Sequence, residues 1–184
     1  MRVIAGQCKG RILFRPKSKA IRPTSDRVKE SLFSFLGDRI VGQSVLDLFA
    51  GTGNLAIEAL SRGAEHAVLV DRAKEAVEII YKNVNLTGFS DKCRVVRSDV
   101  FQYLRYAIKH DEKFGVIFAD PPYLQNVIGS LLQLIDLNDL LNTGGLFVLE
   151  HDSEKSVNIA LDSLSVMREK NYGTTTITIF QNMR

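Results

Sequence analysis

The sequence contains little cysteine, no tryptophan and no long apolar run. Its two cysteines, Cys8 and Cys93, lie far apart without metal-ligand spacing, and its three histidines form no cluster. We therefore expect two idle thiols in a reducing compartment and no metal site. No stretch approaches the roughly 20 apolar residues of a membrane span, and the N-terminus lacks the apolar core of a secretory signal. These absences predict a cytoplasmic protein without a membrane segment.

The composition is otherwise that of an ordinary globular chain. The 184 residues are 45% hydrophobic and 24% charged. This length allows one α/β domain with a full core and a small appendage.

Positive charge is concentrated at the N-terminal end. Residues 1–29 carry nine Lys or Arg and one acid, although the whole chain has a net charge of only +3. A basic segment on a mildly acidic body is typical of proteins that hold polyanions, and a solvated surface tail is the alternative. Phe14 is the only aromatic residue of this segment, so the segment does not read a base by itself. The candidate nucleic-acid contacts are Lys9, Arg11, Lys17, Arg22 and Arg27.

The same segment has the pattern of a small N-terminal extension, which we assign to residues 1–37, with the main domain at 38–184. Apolar runs at 3–5 and 11–14 predict a hairpin or two extended pieces. A helix is expected to start where Thr24 or Ser25 can cap it and to run to about Leu36. Thr24 and Arg27 stay ambiguous, because either could face a cofactor carboxylate or serve only the helix cap.

From Ser44 onward, strand and helix patterns alternate. Strands are predicted at 44–48, 67–71, 94–98, 116–119 and 146–150, with helices at 54–62, 74–86, 100–110 and 127–141. This alternation predicts a parallel sheet with right-handed crossovers. Two further β-prone runs, 165–170 and 174–180, flank a glycine turn and predict an antiparallel hairpin at the edge of the sheet.

A glycine turn follows the first predicted strand. Glycines let the backbone bend tightly and let a ligand approach closely. The turn lacks the third glycine of a dinucleotide fingerprint and the lysine of a phosphate loop. Asp47 would repel a pyrophosphate but suits a ligand with a positive charge or hydroxyl donors, such as S-adenosylmethionine. The candidate cofactor contacts here are Asp47, Phe49, Ala50, Gly51, Thr52 and Gly53.

Acidic residues also end the next two predicted strands. Asp71 lies twenty residues after Gly51, roughly the separation at which an acid meets ribose hydroxyls in nucleotide-binding sheets. Asp99 could accept a hydrogen bond from an adenine amino group. Each acid alone could be a helix cap, but three acids with the glycine turn predict one crevice. Arg72 and Val100, which follow the two acids directly, are assigned to the same site.

The fourth predicted strand runs into Asp120-Pro121-Pro122-Tyr123. Two prolines fix an extended turn that has no N–H donors, and this leaves its carbonyls available. The Asp120 carboxylate and the Pro121 carbonyl could hold the two hydrogens of an exocyclic amino group on a base. Tyr123 could stack on that base, and a base in a helical stem would have to be flipped out. A rigid turn without chemistry is the alternative for Pro121-Pro122 taken alone.

Together, these motifs resemble the class I S-adenosylmethionine-dependent amino-methyltransferases. The match narrows at Arg-Pro-Thr-x-Asp-Arg (residues 22–27) and Glu-Ala-Leu-Ser-Arg-Gly-Ala (residues 58–64). With these stretches, the chain resembles the bacterial 16S rRNA (guanine(966)-N(2))-methyltransferase family. Asp71, where glutamate is more usual, and Asn54, where a small residue is more usual, depart from the pattern.

The resemblance carries specific expectations. It implies a Rossmann-like fold with a mostly parallel seven-stranded sheet, an antiparallel C-terminal hairpin and a small N-terminal extension. It implies methylation of the guanine N2 amino group in 16S ribosomal RNA, with S-adenosylmethionine as cofactor. The implied partner is the small ribosomal subunit or a late assembly intermediate, with no membrane and no metal.

Two other functions fit parts of the pattern. A DNA methyltransferase acting on adenine N6 or cytosine N4 would use the same chemistry, but the chain is short for a target-recognition domain. A nucleic-acid-binding protein without catalysis is the second alternative. The presence of all three acids and of Asp120–Tyr123 argues against it.

Overall fold

The computed structural model describes residues 1–16, 26–121, 125–153 and 160–184. These residues form five α-helices and seven strands. The helices are α1 (Asp26–Leu36), α2 (Asn54–Ser61), α3 (Lys74–Thr87), α4 (Val100–Lys109) and α5 (Gln125–Leu137). The strands are β1 (Ser44–Leu48), β2 (His66–Asp71), β3 (Cys93–Arg97), β4 (Phe114–Ala119), β5 (Leu141–Asp152), β6 (Leu164–Tyr172) and β7 (Thr175–Asn182).

The seven strands form a mixed sheet in the order β3-β2-β1-β4-β5-β7-β6. The pairs β1–β2, β2–β3 and β4–β5 are parallel, whereas β7 is antiparallel to β5 and to β6. The predicted class is confirmed: a mostly parallel α/β sheet that ends in an antiparallel hairpin. The chain divides into two compact units, Met1–Val100 and Phe101–Arg184.

In the first unit, a short parallel sheet is covered by helices. The central residues of β1 and β2 are fully buried, as are most residues of α2. Strands buried on both faces are expected to be continuous apolar runs, which is why Val45–Leu48 and Ala67–Val70 could be recognised in the sequence.

The first sixteen residues fold back on themselves within this unit. Arg2 and Ile12 form an antiparallel bridge. The N–H of Val3 donates to the Arg11 carbonyl at 3.0 Å, and the N–H of Gly10 donates to the Val3 carbonyl at 2.8 Å. Val3 and Leu13 are buried. The apolar runs predicted as a hairpin or extended pieces are therefore paired through a single bridge. The boundary at residue 37 stays a prediction, and the predicted cap at Thr24 or Ser25 lies outside the described residues.

The second unit is built on β4, β5, β7 and β6. Every residue of β4 is buried, and the rings of Phe147 and Phe180 stack at 5.9 Å between centroids on adjacent strands. Asp136, on α5, accepts the backbone N–H groups of Asp162, Ser163 and Leu164 at 2.7–2.8 Å. Burial alone would raise the pKa of the Asp136 carboxyl, but these hydrogen bonds lower the pKa below its ordinary value. The carboxylate thus fixes the chain as it enters β6.

The predicted end of the fifth helix and the predicted start of the next strand, at residue 146, are both wrong. The predicted helix at 127–141 overruns the end of α5, because the helix ends at Leu137 and β5 already begins at Leu141. The side-chain amide of Asn138 donates to the Leu134 carbonyl at 2.7 Å and so satisfies a helix-end acceptor. Gly144, a residue type that often follows the end of a helix, lies instead inside β5 with φ of 71°. The register of β5 against β4 shifts there, which is the usual place for a strand glycine.

The two cysteine thiols lie in different surroundings. Burial raises the pKa of the Cys93 thiol to about 12, so it carries little thiolate at neutral pH. The Cys8 thiol donates to the Thr87 carbonyl at 3.2 Å.

Within the described ranges, the helices are too short or too polar to cross a membrane.

Candidate functional site

The glycine turn after β1 has an unusual backbone. Phe49, Gly51 and Gly53 have φ values of 59°, 56° and 75°. Glycine adopts this left-handed region easily, but a phenylalanine there costs on the order of 1–2 kcal/mol. The turn is tied to β2, since the N–H of Ala50 donates to the Val70 carbonyl at 3.0 Å. Strain of this kind is typical of ligand-binding turns.

Gly53 lets the turn pass close to the sheet before α2 begins. A Cβ atom at Gly53 would lie 2.9 Å from Cδ2 of Leu69, nearer than real Cβ contacts allow. Its N–H donates to the Ala50 carbonyl at 2.7 Å. A side chain at this position would have to displace the Leu69 methyl group and would strain the backbone at a positive φ, and both effects favour glycine.

Asp71, at the end of β2, holds the turn from the other side. One carboxylate oxygen, Oδ2, accepts the N–H of Gly51 at 2.9 Å, and Oδ1 accepts the N–H of Ala73 at 2.8 Å. Each carboxylate oxygen has two lone pairs, so both can accept one further hydrogen bond. Asp71 is half-buried, and its carboxylate is fixed in orientation with acceptor capacity left for hydroxyl groups.

Asp47, in β1, is almost completely buried beside the same turn. Its Oδ2 accepts the N–H of Ala56 at 3.1 Å. Burial raises the pKa of Asp47 to about 8; the Ala56 hydrogen bond opposes this rise, and the negative charge of Asp71 adds to it. Strong shifts of this kind, from burial plus a specific neighbour, mark candidate functional sites.

The chemistry of this turn fits S-adenosylmethionine better than a nucleoside phosphate. The Asp71 carboxylate attracts cations, accepts from hydroxyl groups and repels phosphates. Asp47 lies within electrostatic range of it, and a bound cation would favour the ionised form of Asp47. The turn carries no lysine that could offset that repulsion. A sulfonium, an ammonium and a ribose are the groups that such acceptors would hold.

The other residues assigned to the cofactor site differ in their exposure. Asp99 is exposed between β3 and α4, whereas Val100, the first residue of α4, is buried. Arg72 is exposed, and its carbonyl accepts from Arg97 Nε at 3.4 Å. The Thr52 hydroxyl is buried and donates to the Met1 sulfur at 3.3 Å, so its side chain is engaged with the N-terminal segment.

In the second unit, the predicted catalytic element begins as expected at a strand end. Asp120 follows Ala119, the last residue of β4, and is half-buried, while Pro121 is buried. Ala119 pairs in register with Leu149 of the parallel strand β5, so both strands run toward the same edge of this unit. Pro122 and Tyr123 lie outside the described residues.

The basic N-terminal residues differ in what their side chains do. Lys9, Arg11 and Arg27 are exposed, as a polyanion contact requires. Lys17 and Arg22 lie outside the described ranges. Lys29, the last cation of the segment, is fully buried and therefore cannot contact a polyanion. Arg2 lies 3.4 Å from the Asp26 carboxylate, so part of its charge is offset locally.

Lys29 belongs instead to a buried polar network that sequence reasoning missed. Its ammonium donates to the Arg2 carbonyl at 2.6 Å and to Asn54 Oδ1 at 2.7 Å, and it lies 3.0 Å from Glu58 Oε2. Burial lowers the pKa of Lys29 below its ordinary value, with Glu58 acting in the opposite direction. The network connects the N-terminal segment to Asn54, the first residue after the glycine turn.

Glu58 is the acceptor at the centre of that network. Its two oxygens accept the backbone N–H groups of Ile4 at 2.8 Å and Ala5 at 3.0 Å, and Arg62 Nε donates at 2.8 Å. A signal existed in the sequence, because Lys29 shares the spacing of the buried residues of α1 and Glu58 interrupts the apolar helix α2. A charged residue on an apolar face calls for a buried partner.

The family of the chain follows from comparison with known proteins. A family model described as "Conserved hypothetical protein 95" matches residues 1–181. The chain belongs to this family. One curated relative, "Putative rRNA methyltransferase YlbH" of Bacillus subtilis, is 40% identical to this chain over 181 residues, and the match covers 98% of each chain. "Ribosomal RNA small subunit methyltransferase D" of Escherichia coli is 33% identical and covers 98% of this chain and 89% of its own length.

A solved structure agrees with the family assignment. The structure described as "Putative methyltransferase yhhF from Escherichia coli" superposes with a TM-score of 0.87 at 31% identity, covering 99% of this chain and 97% of the other. The resemblance drawn from the motifs is thereby confirmed at the level of the family and of the Rossmann-like methyltransferase fold. The chain spans nearly the full length of these relatives.

Proposed function

We propose that this chain transfers a methyl group from S-adenosylmethionine to the N2 amino group of a guanine in 16S ribosomal RNA. The observation that carries the proposal is the lining of the glycine turn, where backbone N–H groups hold the carboxyl groups of Asp71 and Asp47. This lining suits a cationic, hydroxyl-bearing cofactor. Membership of a family whose curated relatives are named ribosomal RNA methyltransferases supports the choice of substrate.

The first unit is proposed to hold the cofactor, which supplies an electrophilic methyl group when bound. Asp71 accepts from the ribose hydroxyls, because its carboxylate is oriented by Gly51 and Ala73. Asp47, whose pKa is about 8 without a ligand, ionises when the cationic end of the cofactor lies beside it, because a nearby positive charge favours the charged form. Asp99 accepts from the adenine amino group. The remaining contacts are backbone and apolar surfaces of Phe49, Ala50, Gly51, Thr52, Gly53, Arg72 and Val100.

The turn after β4 is proposed to hold the amino group that is methylated. The carboxylate of Asp120 and the carbonyl of Pro121 accept the two N–H hydrogens, which favours a nitrogen whose lone pair is no longer shared with the ring. Pro122 keeps the turn without a competing donor, and Tyr123 stacks on the base. When the nitrogen is methylated, the Asp120 carboxylate would stabilise the positive charge that develops on it and would accept the proton that the nitrogen must lose.

The N-terminal extension, residues 1–37, is proposed to grip the RNA backbone through Lys9, Arg11, Lys17, Arg22 and Arg27. Only exposed side chains can displace counterions from phosphates, and Lys9, Arg11 and Arg27 are exposed. The substrate is then the small ribosomal subunit or a late assembly intermediate. This substrate places the enzyme in the cytoplasm.

The proposal is tested by transfer of tritiated methyl groups from labelled S-adenosylmethionine. Small-subunit particles from a strain that lacks its own enzyme should be labelled, whereas duplex DNA containing the same guanines, adenines and cytosines should not. Preferential labelling of DNA would favour the DNA amino-methyltransferase. Cofactor binding without labelling of either substrate would favour a binding protein.

A further inference from the structure

An exposed aromatic side chain is held by a buried amide near the glycine turn. Phe14 is 51% exposed and lies between Leu13, which is buried, and Arg15, which is exposed. Single exposed apolar residues are common and need no explanation. What distinguishes Phe14 is the fixation of its backbone from beneath.

The fixation comes from Asn83 on α3, whose side chain has no exposed surface. Asn83 Oδ1 accepts the N–H of Phe14 at 2.7 Å, and Asn83 Nδ2 donates to the Phe14 carbonyl at 3.2 Å. Both backbone groups of one residue are therefore bound by one amide. Burying an amide is costly unless its hydrogen bonds are made, and here these bonds hold a residue whose ring points to the surface.

The same amide also reaches the turn assigned to the cofactor. Asn83 Nδ2 donates to the Thr52 carbonyl at 2.9 Å. The backbone of Phe14 is thus fixed relative to the glycine turn through one rigid side chain. These hydrogen bonds restrict the position of the Phe14 ring relative to that turn.

The surroundings of the ring match a nucleic acid. Lys9, Arg11 and Arg15 are cations of the same N-terminal segment, and Ile12 beside them is 74% exposed. Alternation along this extended stretch sends Leu13 into the core and Ile12 and Phe14 outward. An exposed aromatic face in a segment with exposed cations suits single-stranded RNA, because the ring can stack on a base and the cations can contact the backbone.

We infer that Phe14 is a stacking contact for an unpaired RNA base, held in place by Asn83, and this inference rests on the proposed function. Stacking contributes to affinity without releasing counterions, so its removal differs from the removal of a cation. Phe14→Ala should weaken binding of a 16S rRNA transcript about 5- to 150-fold. The slope of log affinity against log salt should stay that of the unaltered protein.

A tryptophan substitution provides a direct optical signal, because the chain contains no tryptophan. In Phe14→Trp, the new indole should keep the affinity for the transcript, and its emission should be quenched as RNA is added. The matched control is Tyr81→Trp, since Tyr81 is 50% exposed and lies on α3 of the same unit. Its emission should not change, and Tyr81→Ala should bind the transcript as the unaltered protein does.

The outcomes separate this inference from the proposed function. The stacking contact is wrong if Phe14→Ala binds the transcript with unchanged affinity, or if the emission of Phe14→Trp does not change when RNA is added. Neither result would contradict methyl transfer to small-subunit particles. If Phe14→Ala changes the salt slope as well as the affinity, the ring acts only by placing its charged neighbours, and the stacking contact is again wrong. If the unaltered protein methylates no small-subunit particle, the proposed function fails whatever Phe14 does.

Discussion

Gly51 donates its backbone N–H to Asp71 Oδ2 at 2.9 Å, and this contact joins the turn after β1 to the end of β2. The bond makes Asp71 both a support for the turn and a candidate acceptor for the cofactor ribose. A carboxylate oriented by two backbone donors loses little entropy when it meets a third. The role proposed for Asp71 depends on this orientation.

Replacing Asp71 should therefore weaken cofactor binding strongly. Asp71→Ala removes a charged hydrogen-bond acceptor, and each such bond contributes about 1.5–3 kcal/mol. We expect the dissociation constant of S-adenosylhomocysteine to rise at least about 10-fold in titration calorimetry. Asp91→Ala, an exposed acid in the same unit, serves as the control. An unchanged constant in Asp71→Ala would move the cofactor elsewhere.

The raised pKa of Asp47 predicts a pH-dependent stability. Because the folded-state pKa is about 8 and the ordinary value is 3.8, the folded state resists ionisation while the unfolded state ionises. Stability from this group is fully present below about pH 4 and is lost as the pH rises to about 8. Asp47→Asn, which keeps an acceptor for the Ala56 N–H, should avoid that decline.

The measurement is urea unfolding of both proteins from pH 5 to pH 9. The variant should gain stability relative to the original by at most about 1.4 kcal/mol per pH unit up to about pH 8, with no further gain above. A difference that is constant across the range would mean that Asp47 ionises normally in the folded chain.

The buried pair of Lys29 and Glu58 should be costly to break. Lys29→Met leaves a buried carboxylate without its ammonium, a change that typically costs about 3–5 kcal/mol; Arg62, still 2.8 Å from Glu58, should keep the cost near the lower end. Urea unfolding measures this cost, and hydrogen exchange at Ile4 and Ala5 should become faster, since Glu58 holds their N–H groups.

The control for this pair is Lys82→Met, which removes an exposed lysine of α3. It should change stability by less than about 0.5 kcal/mol. If Lys29→Met behaves in the same way, the network does not hold the N-terminal segment to the chain.

Exposed cations of the N-terminal segment should set the salt dependence of RNA binding. Removing Lys9 and Arg11 together should reduce the slope of log affinity against log salt by about 0.7–0.9 for each phosphate that is no longer neutralised. Lys82→Ala combined with Lys92→Ala removes two lysines elsewhere in the unit and should leave the slope unchanged. An unaltered slope in the first variant would exclude this segment as the RNA grip.

Much of the fold was predictable because parallel strands that are buried on both faces have short, continuous apolar sequences. The strands at 44–48 and 67–71 could be read directly, since both faces of the sheet are covered. The end of α5 could not, because Gly144 signals a helix stop as well as it signals a strand irregularity. Only pairing with β4 decides between the two.

The candidate site was predictable where function depends on position along a strand. Three candidate site residues stand at or near strand ends: Asp47, Asp71 and Asp120. In open α/β sheets, ligands bind at the carboxyl ends of the strands. The roles of Lys29 and Asn83 depend on which residues of separate elements meet. Lys29 reads as one more cation in a basic segment until α1 is packed against Glu58.

The proposed role of Asp120 separates catalysis from binding. Asp120→Ala should reduce methyl transfer to small-subunit particles by at least about 100-fold, while the dissociation constant for S-adenosylhomocysteine stays within a few-fold. Asp120→Asn, which keeps one acceptor, should retain more activity than the alanine variant. A variant that keeps most of its turnover would show that Asp120 does not hold the amino group.

The central claim concerns one nitrogen of one base. Mass spectrometry of nucleosides and of nuclease fragments from 16S rRNA, methylated by the purified protein on particles from a deletion strain, identifies both. The proposed function predicts N2-methylguanosine at a single nucleotide of the small-subunit RNA. Methylation of an adenine or cytosine amino group, or of guanines at many unrelated positions, would contradict it.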